Sequence, residues 1–248
     1  MKISVVILTK NEEKNIEDCI KSLDFCNETI VIDDNSTDKT TELAESLGSR
    51  VFLRDLNADF AAQRNFGLSL ARGEWVLFID ADERIPQELK KEILKKLKLP
   101  SVVKGYFLRR KDFLWGKELK HGETASASFL RLARGGFGKW KRKVHEVWEV
   151  EGQKAILKNP ILHYPHQTLR EFISEINFYS TLSAEENLKV AKTSSILKVI
   201  FWPKFKFLHN FLLRLGILDW TYGFVIAMMM SFHSFLSWSK QWIRQERN

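Results

Sequence analysis

The stretch WVLFIDAD, residues 75–82, places five apolar residues directly before two acids that are one residue apart. A short apolar run of β-branched and aromatic residues predicts a buried strand that ends at the acids. Open α/β sheets bind their ligands at the carboxyl ends of such strands. Asp80 and Asp82 repel each other unless a positive charge lies between them, and a hard divalent cation that carries phosphate oxygens meets this need. The alternative is a solvated turn that caps the helix beginning near residue 86.

The first hundred residues repeat this alternation of short apolar runs and helical patterns. Strands are predicted over residues 3–8, 29–32, 50–53 and 75–79, and helices over about 12–23, 38–47, 58–70 and 87–97. Strands that alternate with helices of about 10–15 residues indicate an α/β protein with a mostly parallel sheet and helices on both faces. From about residue 105 to 164, short β-type stretches and glycine-rich turns predict mixed or antiparallel strands that complete the same domain.

Composition and charge limit the class of protein. Of the 248 residues, 44% are apolar and 28% are charged, which is typical of a folded globular chain with one domain plus an appendage. The formal charge of +8 requires an anionic partner, such as nucleic acid, a phosphorylated substrate or acidic lipid. Its excess after residue 104 disfavours a uniform nucleic-acid coat. Cys19 and Cys26 are expected to be free thiols, and no secretory signal is expected because the chain opens directly into a strand.

The C-terminal segment, residues 191–248, has a composition of its own and follows a predicted capping-box helix from Thr168 toward residue 188. Aromatic residues are mixed with lysines over 196–215, and residues 220–239 contain no Asp, Glu, Lys or Arg. That length reaches what a membrane span needs, but the stretch contains serines, a glycine and a histidine. A basic, aromatic-rich helical pair lying in the membrane interface is the favoured interpretation. A buried helix or dimer contact and a true span are the alternatives.

Polar motifs follow the predicted strands. The first strand ends in TKNE, residues 9–12, which lacks the glycine-rich turn of dinucleotide-binding proteins and so argues against a dehydrogenase. The second strand ends in DDNSTD, residues 33–38, where a carboxylate can accept from a base or ribose hydroxyl and Ser36 or Thr37 is predicted to cap the next helix. Arg64 lies on a predicted helix among small residues. It is expected either to lie near the phosphate or base of a ligand or to be a solvated surface charge.

Four motifs occur in the order and spacing of a known family: TKNE at 9–12, DDNSTD at 33–38, AQRNFG at 62–67 and DADE at 80–83. Together they resemble the family-2 inverting glycosyltransferases of the GT-A fold, over about residues 1–100. The second half resembles the subgroup with a Val-His-Glu element, through FLRLARG at 129–135 and VHE at 144–146. Within that subgroup the chain is similar to lipopolysaccharide core-biosynthesis β-glucosyltransferases, which place glucose on an inner-core heptose. The tail is similar more loosely, because Asp219-Trp220 stands where they have Asp-Gly.

The resemblance implies a GT-A domain over residues 1–190, with a nucleotide-sugar half (1–100) and an acceptor half (101–190), followed by the helical segment 191–248. It also implies a UDP-sugar site, whose residues would be Thr9, Asn11, Glu12, Asp34, Arg64 and Asp80. Asp82 would ligate Mg²⁺ or Mn²⁺ together with Asp80. His163 is either a third contact to the metal or diphosphate, or an ordinary loop histidine.

The chemistry of glycosyl transfer sets further requirements. The departing diphosphate gains charge that a divalent cation can neutralise as a Lewis acid. The sugar carbon becomes oxocarbenium-like, so an acceptor hydroxyl that attacks the opposite face needs a base. Glu146 is the candidate base, with His145 as orienter or alternative and with Asp112 and Glu123 in reserve. Because neighbours on a strand point to opposite faces, only one of Glu146 and His145 is expected to enter the site. A charge pair on a surface strand is the alternative.

A basic segment with interleaved aromatics, residues 131–143, favours a phosphate-bearing glycolipid acceptor or anionic lipid, and no RNA-binding signature accompanies it. The expected function is inverting transfer of a hexose, glucose from UDP-glucose, onto a lipid-linked saccharide at the cytoplasmic face of the inner membrane. Expected partners are the nucleotide-sugar donor, a glycolipid or saccharide acceptor and an acidic membrane surface, and not nucleic acid. Two alternatives are open: a polyprenyl-phosphate sugar synthase, which needs no carboxylate base, and a non-catalytic nucleotide-binding membrane scaffold.

Overall fold

The computed structural model describes residues 2–123, 127–136, 138–143, 146–165 and 168–246. The chain forms two compact units. The first, here the sheet unit, comprises Met1–Arg110 and Ala127–His163, and the second, here the helical unit, comprises Lys111–Ser126 and Tyr164–Asn248. The domain boundary expected at residue 190 stays a prediction.

The sheet unit begins with four parallel strands and four helices in alternation. The strands are β1 (Ile3–Thr9), β2 (Glu28–Asp33), β3 (Arg50–Leu53) and β4 (Trp75–Asp80), and the helices are α1 (Ile16–Lys21), α2 (Thr40–Ser46), α3 (Phe60–Leu70) and α4 (Gln87–Lys98). The strand order is β3-β2-β1-β4. In this register Thr9 lies opposite Asp33, and Leu8 opposite Asp80, so the polar ends of three strands meet at one edge. The α/β class and the mostly parallel sheet are confirmed.

Both faces of β1 and β4 are buried, which is why these strands read as continuous apolar runs. Successive side chains alternate between faces. Val5 and Ile7 belong to a core that includes residues of α1 and α4, and Val6 belongs to a core that includes Ala61 of α3. Helix α3 lies close to the sheet at Gly67, where a Cβ atom would come within 2.4 Å of Val6 Cγ1.

Helix α1 is shorter than predicted because the loop before it is held by side chains of the next loop. Asn11 has a positive φ of 54°, which does not belong to a helix. Its N–H donates to Ser36 Oγ (2.7 Å), and the N–H of Glu12 donates to Thr40 Oγ1 (2.7 Å). The first regular helical residue is therefore Ile16. The expected helix start at residue 12 was wrong.

The rest of the sheet unit is mixed, as the sequence predicted. Its strands are β5 (Glu83–Arg84), β6 (Val103–Leu114, whose last four residues belong to the helical unit), β8 (Ser128–Arg134), β9 (Gly138–Lys141), β10 (Val147–Val150), β11 (Gln153–Ile156) and β12 (Ile161–His163). Strand β8 pairs antiparallel with β4 and with β6. Strand β12 pairs antiparallel with β5, and β9 with β10 as a separate two-stranded sheet. These pairings bring late residues to the acidic end of β4.

The helical unit contains the end of β6 with β7 (Lys117–Leu119) and three long helices. The helices are α5 (Leu169–Lys189), α6 (Ile196–Leu208) and α7 (Trp220–Glu246), with a π-helical turn at His209–Leu213 and a 3₁₀ turn at Gly216–Asp219. The predicted capping box is confirmed, since Thr168 and Glu171 exchange side-chain and backbone hydrogen bonds. Within the described residues no single helix has the length and apolar composition of a membrane span, and only Ile196–Leu213 with Gly216–Glu246, bent by 72°, meets that test as a pair.

Candidate active site

The carboxyl ends of β1 and β2 form one side of the site. Thr9 is buried, and its Oγ1 has no hydrogen-bond partner. Asp33 is fully buried and accepts from the N–H and Oγ of Ser36 (2.7 and 2.6 Å). Asp34 accepts from Leu56 N–H and forms an ion pair with Lys10, both at 2.8 Å. An unpartnered hydroxyl and a fixed carboxylate therefore line this edge.

Asn11 and Glu12 shape the loop between β1 and α1. Asn11 Oδ1 accepts from Thr37 N–H (2.8 Å), and Glu12 Oε2 accepts from Asn15 Nδ2 (2.8 Å). Neither Ser36 nor Thr37 caps α2, contrary to expectation, because Ser36 is bonded to Asp33 and Thr37 to Asn11. The residue before α2 is Lys39, and it makes no side-chain cap.

The carboxylate of Asp80 lies between two guanidinium groups. Arg64 Nη2 lies 2.9 Å from Asp80 Oδ1, and Arg131 Nη2 lies 2.5 Å from Asp80 Oδ2. Burial raises the pKa of Asp80, but Arg131 and Arg64 together hold it well below its usual range. Arg131 was expected on an exposed basic surface, and this was wrong, since only 7% of its side chain is exposed. No local pattern signals this burial, because the pairing of β8 with β6 passes from Leu130 to Leu132 and leaves Arg131 at an irregularity of the strand.

Glu83 lies beneath this pair and was not singled out from the sequence. It is fully buried, and its Oε2 accepts from Asp80 N–H (3.0 Å). Its Oε1 has no hydrogen-bond partner and lies 3.6 Å from Arg131 Nη2. Burial raises the pKa of Glu83, and the nearby Arg131 offsets this only in part. Glu83 therefore depends on Arg131 for charge compensation.

Asp82 and His163, which are far apart in sequence, are neighbours at the end of β4. Strand pairing sets His163 opposite Glu83, and His163 Nε2 lies 3.1 Å from Asp82 Oδ2. Burial raises the pKa of Asp82, but His163 brings it below its ordinary value. Both side chains remain partly exposed. The structure thus brings together two of the three predicted metal ligands, while Asp80 is bound to guanidinium groups.

The donor set fits a cation that also binds phosphate. In the part of the chain that the structure describes, no group of three or more His, Cys, Asp or Glu side chains is arranged to hold a metal. Mg²⁺ in nucleotide enzymes binds to one or two carboxylates and takes its other ligands from water and substrate phosphates. Asp82 and His163 provide one oxygen and one nitrogen donor at the rim, which is enough for such a site.

Glu146 reaches this cluster through Arg64. Arg64 Nε lies 2.9 Å from Glu146 Oε1, while Arg64 Nη1 is buried without a hydrogen-bond partner. His145 lies outside the described residues. The reserve candidates Asp112 and Glu123 belong to the helical unit, where the Glu123 carboxylate binds Lys206 Nζ (2.7 Å) and Asn210 Nδ2 (3.1 Å).

Helix α3 positions Arg64. Its N-cap residue, Asp59, accepts from Ala62 N–H (2.9 Å). Gln63 is almost fully buried and donates to the Arg54 carbonyl (2.6 Å). The Arg64 guanidinium lies 4.8 Å from the ring centre of Trp140, so it is packed as well as charged. Nη1, which carries two N–H groups, remains for an anion.

A mostly parallel α/β sheet with carboxylates and a buried arginine at its carboxyl edge has these groups where open α/β sheets bind nucleotides and similar ligands. Residues 4–162 match the family described as Glycosyl transferase family 2, and the chain belongs to that family. The protein is thus a glycosyltransferase.

Two sequence relatives extend over nearly the whole chain. The lipopolysaccharide core biosynthesis glycosyltransferase LpsC of Rhizobium meliloti is 31% identical over 96% of this chain and 91% of its own length. An uncharacterized glycosyltransferase of Rickettsia bellii is 29% identical over 96% of this chain and 85% of its own length.

Matches to solved structures are more partial. Glucosyl-3-phosphoglycerate synthase of Mycobacterium tuberculosis, crystallised with Mn²⁺ and UDP-glucose, is 28% identical, covers 46% of this chain and 43% of its own, and has a TM-score of 0.37. TarS of S. aureus is 18% identical, covers 74% of this chain and 40% of its own, and has a TM-score of 0.47. This chain spans less than half the length of either solved chain.

Proposed function

We propose that the protein is an inverting hexosyltransferase that moves glucose from UDP-glucose onto a lipid-linked saccharide such as the lipopolysaccharide inner core. The similarity to LpsC, a lipopolysaccharide core biosynthesis glycosyltransferase, supports the acceptor class. The observation that carries the proposal is the buried Arg64, which bridges Asp80 and Glu146 and whose Nη1 has no partner among the described residues. A buried, unpartnered guanidinium N–H at a nucleotide edge suits a diphosphate oxygen.

The donor would lie along the carboxyl ends of β1, β2 and β4. Asp34 and the Thr9 hydroxyl would contact the uracil and ribose, and Asn11 and Glu12 would frame that pocket. Arg64 Nη1 would contact the diphosphate. Each of these roles uses a group that the fold already holds at one sheet edge.

Asp82 and His163 would hold Mg²⁺ or Mn²⁺. The cation, when bound, would neutralise the charge that develops on the departing diphosphate. Asp80, the other predicted ligand, would reach the cation only by giving up a guanidinium contact, and its role is instead to hold Arg64 and Arg131 in place.

Glu146 would accept the proton of the attacking acceptor hydroxyl. Arg64 engages Oε1, which leaves Oε2 for the hydroxyl. A single displacement with the base on the side opposite the leaving group inverts the sugar carbon. Arg64 would contact the diphosphate and the base carboxylate at once, and so hold the two reacting sides in one geometry.

The base assignment is tested with Glu146→Gln. Turnover of UDP-glucose with Mn²⁺ should fall about 100-fold or more, because a general base contributes at least that much, while UDP affinity measured by calorimetry should change by less than about twofold, a difference below about 0.4 kcal/mol. Glu149→Gln on β10 is the matched control, since Glu149 is exposed and paired only with Lys141.

Full turnover by Glu146→Gln would contradict the base assignment. If glucose then passes to a polyprenyl phosphate, a synthase is the correct description, because an anionic acceptor needs no base. If wild-type protein binds UDP but never cleaves UDP-glucose, a non-catalytic scaffold is correct.

The helical unit supplies the proposed membrane contact on the cytoplasmic face of the inner membrane. Residues 187–245 contain eight Lys or Arg and one acid, Asp219, which is buried. They therefore carry +7 of the chain's formal charge of +8. Trp220 is 82% exposed. A cationic, aromatic surface of this kind favours an anionic leaflet.

Helix α6 has the apolar face that such binding requires. It buries only Val199 and Pro203. The exposed apolar side chains of this helix are Ile196, Leu197, Ile200, Phe201, Trp202, Phe205 and Leu208. Soluble monomers rarely expose contiguous apolar patches of this kind, whereas lysines beside them suit lipid headgroups.

Vesicle sedimentation tests the membrane contact. The protein should bind vesicles containing phosphatidylglycerol more tightly than phosphatidylcholine vesicles, and less tightly as salt shortens the Debye length from about 10 to 3 Å. The double change Lys198→Gln and Lys204→Gln should weaken binding about tenfold or more, since each basic residue near the surface contributes about 1 kcal/mol. Equal binding to both kinds of vesicle would contradict the proposed membrane contact. So would a protein that binds neither and instead forms a dimer whose stability does not depend on salt.

A further inference from the structure

Asn65 of α3 makes a pair of hydrogen bonds with the backbone of Trp140 in β9. Its Nδ2 donates to the Trp140 carbonyl (2.8 Å), and its Oδ1 accepts from the Trp140 N–H (2.9 Å). One side chain thus satisfies both backbone groups of Trp140, as a neighbouring strand would. We propose that Asn65 is a positioning residue that fixes the segment carrying Glu146, and thereby the place of the Glu146 carboxylate; this rests on the proposed role of Glu146 as base.

The β9–β10 hairpin needs such support. It is a separate two-stranded sheet, and two strands alone are marginally stable in water. Trp140 lies opposite Trp148, and their rings stack with centres 5.4 Å apart. Both backbone groups of Trp140 bond to Asn65, so they point away from β10, as expected for a non-hydrogen-bonded pair whose side chains lie close. The free edge of β9 is therefore closed by α3.

Helix α3 contacts three residues of this region, Trp140, Lys143 and Glu146. The first contact is the Asn65 pair at Trp140. The second is the N–H of Phe60, which donates to the Lys143 carbonyl (3.0 Å). The third is the bond from Arg64 to Glu146. Because Phe60 lies about one turn before Arg64 and Asn65 on the same helix, the three contacts move as a rigid set.

The same helix reaches the donor side. Arg64 contacts Asp80 through Nη2 while its Nε contacts Glu146. A single helix thus sets the separation between the proposed donor site and the proposed base. The Arg64–Glu146 contact alone is one hydrogen bond to a flexible side chain. The two hydrogen bonds from Asn65 to the Trp140 backbone are therefore what fix the position of β9 beside α3.

The amide of Asn65 suits this task because it both donates and accepts. Asn65→Asp keeps the oxygen that accepts from Trp140 N–H but sets a carboxylate oxygen against the Trp140 carbonyl. Asn65→Ala removes both bonds and leaves two backbone groups of a buried residue unpaired. Each variant therefore breaks at least one bond of the pair, while the donor contacts of Thr9, Asp34 and Asp82 are untouched.

The test uses the full chain with UDP-glucose and Mn²⁺, water being the acceptor. Turnover should fall about 10- to 100-fold in Asn65→Ala, because a shift on the order of 1 Å in a reacting group costs about 100-fold, and it should also fall in Asn65→Asp. UDP affinity should stay within about twofold of wild type. Ser69→Ala is the matched control, because Ser69 is exposed on the same helix and bonds only to the Phe66 carbonyl.

The double variant Asn65→Asp with Glu146→Gln separates positioning from general stability. If Asn65 acts through Glu146, the double variant is no slower than Glu146→Gln alone. Wild-type turnover by Asn65→Asp, or losses that multiply in the double variant, would overturn the inference while leaving the base assignment intact. Full turnover by Glu146→Gln would instead remove the proposed base. If Asn65→Ala does not fold, Asn65→Asp decides the question.

Discussion

Replacing Arg131 with methionine tests the charge balance beneath the proposed site. Arg131 is buried, and it lies within 3.6 Å of the fully buried Glu83 as well as on Asp80. Asp80 is nearly a third exposed and keeps Arg64, so water and Arg64 compensate much of its charge. Glu83 has no second cation within salt-bridge distance among the described residues. Breaking a buried pair by removing one partner costs about 3–5 kcal/mol, and Glu83 accounts for most of that cost here.

The loss should depend on pH in a fixed direction. The pKa of Glu83 is raised by burial, and removing Arg131 raises it further. A carboxyl whose folded pKa lies above its unfolded value of about 4.3 stabilises the fold below that value, and this contribution is lost as the pH rises through the folded pKa. Arg131→Met should therefore be about 3 kcal/mol less stable than wild type at about pH 8 and closer to wild type at about pH 5.5.

Urea unfolding followed by tryptophan fluorescence at the two pH values measures this. A loss of about 3 kcal/mol corresponds to a fall in Tm of about 6–12 °C for a chain of this size. Arg131→Met with Glu83→Gln should recover part of the stability lost at high pH, because no buried charge is then uncompensated. Arg134→Met, which removes an exposed pair with Glu74, is the control and should cost less than about 1 kcal/mol. An Arg131→Met protein as stable as wild type at both pH values would show that Arg131 does not compensate the charge of Glu83.

Two further predictions concern packing and capping. Gly67→Ala should lower the unfolding free energy by about 1–3 kcal/mol, because the new methyl group would come within 2.4 Å of Val6 Cγ1 and push α3 off the sheet; urea unfolding checks it, and an unchanged midpoint would contradict the close approach. Thr168→Ala should cost about 0.5–2 kcal/mol by removing the hydroxyl that accepts from Glu171 N–H at the start of α5. Thermal unfolding checks it beside Ser174→Ala, an exposed position within that helix, and equal effects of both changes would show that the cap contributes nothing.

The strands were predictable because their signal is local. Four or five successive apolar residues before a polar edge describe β1 and β4 whatever the rest of the chain does. The same apolar run predicted that β4 ends at Asp80. It therefore also predicted that Asp80 and Asp82 lie at the edge of the sheet where ligands bind. The capping box at Thr168 was equally local.

What the sequence did not show depends on pairings between distant segments. Arg131 read as one of many surface cations, and it is buried only because β8 lies antiparallel beside β4. His163 meets Asp82 only because β12 pairs with β5. The role of Asn65 depends on a hairpin that is itself held by α3. Each is a contact across about 50–80 residues, which no periodicity in a single sequence records.

The most direct test of the proposed site is calorimetric titration of UDP with and without Mn²⁺. It shows whether a nucleoside diphosphate and a divalent cation bind together at the end of β4, with Asp82 and His163 as protein ligands. Wild type should bind UDP at least about tenfold more tightly with Mn²⁺, a difference of about 1.4 kcal/mol, and Asp82→Asn should lose that difference. Asp18→Asn, at an exposed acid, should behave as wild type. UDP binding that ignores the cation, or an Asp82→Asn protein that keeps the full effect of Mn²⁺, would contradict the account.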